Sequence, residues 1–106
     1  MESIKPDELI RAFLNGETDM RSGTKRNPGP LRIMNDKLIC FQTVICERFC
    51  DKYIINPTFY SRQTNIAQNI LLNLIPKERQ ILVSGVPFIY WGSLKDYIFK
   101  DNECNI

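Results

Sequence analysis

No histidine occurs among the 106 residues. That removes the commonest general base, the commonest neutral metal ligand and every Ser-His or Cys-His nucleophile pair. A nucleophile in this chain has to take Lys, Glu or Asp as its base, and neither a phosphate-binding glycine loop nor a dinucleotide fingerprint is present. Four cysteines remain, Cys40, Cys46, Cys50 and Cys104. Structural zinc draws on two pairs of ligands two to four residues apart. Cys46 and Cys50 come near that spacing, but Cys40 and Cys104 make no second pair. Free cysteine is among the most buried residue types, so buried thiols are expected, with neither metal nor disulfide. Asp36, Glu47, Asp51 and Asp96 could hold a divalent ion in a small nuclease. Two of them fall in expected turns and none is paired at a telling spacing, which makes solvated turn residues the plainer reading. The chemistry argues for a non-enzyme with no cofactor.

Binding chemistry is better represented. Net charge is +2, unevenly spread: residues 1–20 carry −3, residues 21–62 carry +5 and the remainder is neutral. Arg21, Lys25, Arg26 and Arg32 lie in or beside the stretch 17–30, which holds two of the five glycines and no apolar periodicity. It reads as a mobile basic loop, a long irregular segment of the functional kind. A field of that sign attracts an acidic partner or a nucleic-acid backbone. Phe41, Tyr53, Phe59, Tyr60, Phe88, Tyr90 and Trp91 could supply stacking platforms for a single strand. Aromatics on strands are more often core, and Trp91, at a strand end beside Gly92, is the one expected to be exposed. Tyr60-Ser61-Arg62-Gln63-Thr64 sits at a strand-to-helix junction. There Ser61 or Thr64 can cap the helix, and an anion can bind the same free N–H groups.

The elements that position these residues follow from periodicity. Pro6, Asp7 and Glu8 suit a helix start, Leu9, Ile10, Phe13 and Leu14 form one stripe, and Asn15-Gly16 stops it. Strands are expected over 31–34, 38–49 and 53–56, joined at Asn35-Asp36 and at 50–52 as an antiparallel meander. A second helix runs to about Ile75 on the stripe of Ile66, Ile70 and Leu74. A strand pair at 80–84 and 87–91, a short helix at 94–100 and a frayed tail at 101–106 complete the chain. The expected fold is a single α+β domain over 1–106: a small antiparallel sheet packed against two to three helices, with the N-terminal helix on the same side as the second or at an edge. No apolar run approaches the ~18 residues of a membrane span, and the acidic start lacks a signal-peptide core. The cytoplasm is therefore expected, the host cytosol if the chain is viral.

Two stretches carry a resemblance. Phe41, Thr43 and Ile45, followed by Asn56, Tyr60, Ser61, Thr64 and Gln68, resemble a family of small uncharacterised phage and mobile-element proteins. Its pattern is an aromatic-x-Thr-x-Ile-Ala strand, then Asn-x-x-x-Tyr-Ser-x-Thr-Thr and a helix starting near His-Gln. Gln63 stands where that family has its first Thr, and Ala67 where it has His. No activity comes with the family. Its phage-like origin, together with the small size and basic loop, implies host-defence evasion: a stoichiometric, anti-CRISPR-like inhibitor of a host nucleic-acid-handling or defence complex such as a ribonucleoprotein. Direct RNA or DNA binding is the alternative, and a metal-dependent nuclease the third reading. The residues that such binding would use are Arg21, Lys25, Arg26, Arg32, Tyr60, Ser61, Arg62, Thr64 and Trp91.

Overall fold

A computed structural model of the chain describes residues 3–98; the expected tail at 101–106, the last two residues of the expected final helix and Cys104 lie outside them. Among the described residues, helix α1 (Pro6–Leu14) is followed by β1 (Asp19–Gly23), β2 (Pro28–Met34), β3 (Lys37–Cys40), β4 (Thr43–Phe49), β5 (Lys52–Ile55), α2 (Arg62–Leu74), a 3-10 turn (Lys77–Arg79) and β6 (Gln80–Leu82). The strands form one sheet in sequence order. Pairs β1 to β5 are antiparallel, and β6 returns parallel to β5 after the α2 crossover. The fold is α+β.

Period-two alternation splits the sheet into two faces. Leu31, Ile33, Leu38, Cys40, Ile45, Cys46, Tyr53 and Ile55 pack against Leu9, Ile10 and Phe13 of α1 and Ala67, Leu71 and Ile75 of α2. On the other face Ile39, Val44 and Ile54 are covered by Val83, Val86 and Leu94 of the C-terminal segment. An extra residue in β4, between the Leu38–Cys46 and Ile39–Val44 pairs, puts the neighbours Ile45 and Cys46 into the same core, as a bulge does.

Four expectations are corrected. The irregular loop over 17–30 is mostly hairpin, because β1 pairs with β2 and only 17–18 and 24–27 remain outside strands. Thr24 closes that tip: its N–H donates to the Asn27 carbonyl at 3.0 Å and its Oγ1 accepts from the Asn27 N–H at 2.9 Å. The single strand over 38–49 is two strands folded at Phe41-Gln42, with Cys40 opposite Thr43. Residues 87–91 form no strand; Tyr90 makes one bridging pair with Thr43. Cys40 and Cys46 are buried, but Cys50 is exposed in the β4–β5 turn.

Candidate functional site at the β3–β4 turn

Asn56, at the end of β5, is the hub of a buried junction. Its Nδ2 donates to the Val44 carbonyl at 3.1 Å and to the Tyr60 hydroxyl at 3.0 Å, while its Oδ1 accepts from the Thr58 N–H at 3.2 Å. The Tyr60 hydroxyl donates onward to the Val86 carbonyl, fastening the C-terminal segment. Gln68 reaches back from α2, its Nε2 donating to the Asn56 and Thr58 carbonyls at 2.7 and 2.8 Å. Ser61, extended at φ −157°, is the cap of α2 and accepts from the Thr64 N–H at 3.2 Å. Its hydroxyl donates to Thr64 Oγ1 at 3.0 Å, which lies 3.4 Å from Cys40 Sγ. Asn56, Tyr60, Ser61, Thr64 and Gln68 are thus engaged in joining β5, α2 and the C-terminal segment. Ala67, at the family's His position, is buried in the helix-facing core.

Beside this junction lies a surface of opposite character. Phe41 opens the β3–β4 turn at φ +57°, and its N–H donates to the Pro30 carbonyl at 2.8 Å. Bulky side chains are outliers at positive φ, and the left-handed region costs them roughly 1–2 kcal/mol. Yet Phe41 is 50% exposed. Phe88 is 64% exposed and lies 6.0 Å, centroid to centroid, from the Tyr60 ring at an interplanar angle of 31°. The backbone on either side of Phe88 is fixed: its carbonyl accepts from the Thr43 hydroxyl, Tyr90 N–H donates to the Gln42 carbonyl at 2.9 Å and Val44 N–H to the Tyr90 carbonyl at 2.9 Å.

Phe41 and Phe88, with Tyr60, Ser61, Arg62 and Gln63, line a cleft of about 500 Å³. Phe41 and Gln63 also line a neighbouring cleft of about 490 Å³ with Arg21, Gln42 and the 28–30 segment. Arg21 and Pro28 continue into a third, about 440 Å³, that reaches Lys25. The three clefts share residues and form one track from the start of α2 to the hairpin tip. Among the described residues, every charged side chain lining it is basic.

The sequence-predicted residues are therefore divided. Arg21, Lys25, Tyr60, Ser61 and Arg62 come together along the track. Arg26 is exposed at the hairpin tip, and Arg32 stands directly across from Arg21 on the adjoining strand. Like charges so placed repel. Thr64 is buried beneath the track. Trp91 lies elsewhere, in a cleft of about 340 Å³ with Lys37, Glu47 and Lys95 beside the β2–β3 turn. Among the described residues the ion pairs are Arg48–Asp36 and Lys95–Glu47, so Arg21, Lys25, Arg26, Arg32 and Arg62 enter none. The strand pattern places Phe41 and Phe88 in the core, whereas both are exposed; the signal for Phe41 is an expected strand of 12 residues, about twice the usual length.

Two of the four candidate metal-binding carboxylates have other duties. Glu47, buried, accepts from the Ser93 hydroxyl at 2.9 Å and the Leu94 N–H at 2.7 Å, and Asp36 lies 3.5 Å from the Arg48 guanidinium. Among the described residues no three His, Cys, Asp or Glu side chains cluster so as to hold a metal ion, and no helix is long and apolar enough to cross a membrane. Burial pushes the Cys46 thiol well above the usual range, and burial also raises Cys40, opposed by its hydrogen bond with Thr64. Neither thiol is a nucleophile at neutral pH. No family model matches the chain, no curated protein matches its sequence and no solved structure matches its fold.

Proposed function

We propose that the chain is a non-catalytic binding protein whose contact surface is the track centred on Phe41, acting as a stoichiometric inhibitor of a host nucleic-acid-handling complex. One observation carries the binding part: exposed rings on a fixed backbone stand among arginines that, among the described residues, no carboxylate pairs, in clefts that no described acidic side chain lines. Soluble domains seldom leave both apolar and charged groups unmatched at one place without a partner to match them. The target class rests on the partial resemblance to phage proteins, of whose shared residues Tyr60 and Ser61 line this surface and Asn56, Thr64 and Gln68 are buried.

The test is affinity capture from host-cell lysate with wild type and with an Arg21→Glu, Arg62→Glu variant. A nucleic-acid-handling complex retained in equimolar amount by the wild type, inhibited on binding and lost by the variant, is the expected result. Equal retention by both proteins would place the contact elsewhere.

A further inference from the structure

The track's chemistry narrows what it takes. It presents two phenylalanine rings, Phe41 and Phe88, each at least half exposed and lining one cleft. Cations accompany them along the track: Arg62 in the same cleft as the rings, Arg21 in the next cleft and Lys25 beyond it. Gln42 and Gln63, both exposed, line the cleft that Phe41 shares with Arg21. Ring faces, primary amides and guanidinium groups in alternation match bases, base edges and phosphates in alternation.

We propose that the Phe41 track binds single-stranded nucleic acid, with bases stacked on Phe41 and Phe88, Gln42 and Gln63 reaching base edges, and phosphates following Arg62, Arg21 and Lys25. This rests on the track's being the contact surface argued above, and it assigns that contact to the strand carried by the target complex. Two features select a single strand. Rings inside clefts reach only bases that have left the stack, and in a duplex the ring faces of the bases are covered by their neighbours. An acidic peptide would satisfy the arginines but offers nothing to the ring faces. The strained turn supports the same assignment. A glycine at position 41 would relieve the positive φ, and the half-exposed ring returns little burial energy to the fold. Backbone strain of this kind collects where a side chain is held ready for a ligand.

The experiment uses the full chain and two fluorescent probes, oligouridylate of about 12 nucleotides and a duplex of the same length. Fluorescence anisotropy is expected to show the single strand bound at least ~10-fold more tightly than the duplex, with affinity falling as salt rises from about 50 to about 200 mM. Phe41→Gly should melt no lower than wild type and bind oligouridylate about 5- to 100-fold more weakly. Phe88→Ala should weaken binding in the same direction, and Arg21→Glu with Arg62→Glu should flatten the salt dependence. Wild-type affinity in Phe41→Gly, a duplex bound as tightly as the single strand, or an oligoglutamate peptide bound as tightly as oligouridylate would each overturn the proposal. Lysate capture repeated after nuclease digestion separates this from the broader reading. A complex still captured through the track while oligouridylate fails to bind overturns the nucleic-acid ligand alone; failure of both removes the contact surface itself.

Discussion

The junction under α2 and the track above it lie within a few residues of each other and use their polar groups in opposite ways. In the junction Asn56, Tyr60, Ser61, Thr64 and the Gln68 amide nitrogen all have partners inside the protein. On the track Arg21, Lys25 and Arg62 enter no ion pair among the described residues, and Phe41 and Phe88 face outward. Arg48 shows that the fold can fully engage an arginine from the same electropositive segment. It donates to the Phe13, Glu17 and Asn35 carbonyls, and its guanidinium lies 4.1 Å from the Phe13 ring centre. There it satisfies the open C-terminal end of α1. Positive charge in the sequence is therefore a poor guide to function by itself; what separates the two regions is whether a partner already exists.

The sharpest way to break this contrast is at Asn56. Asn56→Ala would remove this partner from the buried Val44 carbonyl and from the half-buried Thr58 N–H, and a buried orphan costs about 1–3 kcal/mol. A loss of roughly 2–4 kcal/mol in urea unfolding is expected. A loss below ~0.5 kcal/mol would show that the junction is not what holds β5, α2 and the C-terminal segment together.

Next in size is an alkaline limb to the stability curve. A thiol whose ionisation is suppressed in the folded state contributes stability that is fully present below its unfolded pKa. That contribution is lost as pH rises above it, because only the unfolded chain gives up the proton. For Cys46 the loss begins near pH 9.0 and grows by roughly 1.4 kcal/mol per pH unit. Cys40 adds to it in the same direction. Cys46→Ala should be less stable at neutral pH and show a shallower decline, as measured by unfolding at several pH values. In a Cys104→Ser background, Cys50 should react with a thiol reagent in the folded protein while Cys40 and Cys46 react only on unfolding.

Smaller again is the cap: Ser61→Ala should cost about 0.5–2 kcal/mol. If stability is untouched while partner binding collapses, the hydroxyl belongs to the track instead. At the hairpin tip the expected effect on folding is least. Lys25→Glu with Arg26→Glu should leave the melting temperature nearly unchanged, since surface substitutions stay within about 0.5 kcal/mol. Partner binding should still weaken at least ~10-fold, more at low salt than at high salt. Equal isotherms at both ionic strengths would remove the tip from the contact.

The sequence made the cap of α2 and both helices legible because each rests on local pattern, whereas the Asn56 and Gln68 bonds of the junction are long-range and carry no local signal. The α2 start is signalled by Ser61 and the stripe behind it, and α1 runs over Pro6–Leu14 as its periodicity requires. The track was not legible, for three separate reasons. Phe41-Gln42 carries no turn signature, and the apolar run continues through it, so the sheet's pairing alone makes the bend. β1 is too polar to alternate: among its side chains only Ser22 is fully buried, and pairing with β2 forms the strand. Finally, the exposed Phe88, Ile89 and Trp91 read as a strand because they are apolar, whereas the buried residues that anchor the segment are Val83, Val86 and Leu94. Trp91, the aromatic singled out for exposure, is exposed but stands in the cleft beside the β2–β3 turn.

One spectrum tests the contrast between the two regions directly. The side-chain amides of Gln42 and Gln63 lie on the track, while those of Asn56 and Gln68 are buried in the junction. All give signals in a single nitrogen–proton correlation spectrum of labelled protein, as does the Trp91 indole. Titration with oligouridylate is predicted to shift the Gln42 and Gln63 amides and the backbone of Phe41, Arg62 and Phe88, leaving the Asn56 and Gln68 amides and the Trp91 indole in place. Shifts centred on Trp91 and Lys37, with the Phe41 turn unmoved, would contradict the account.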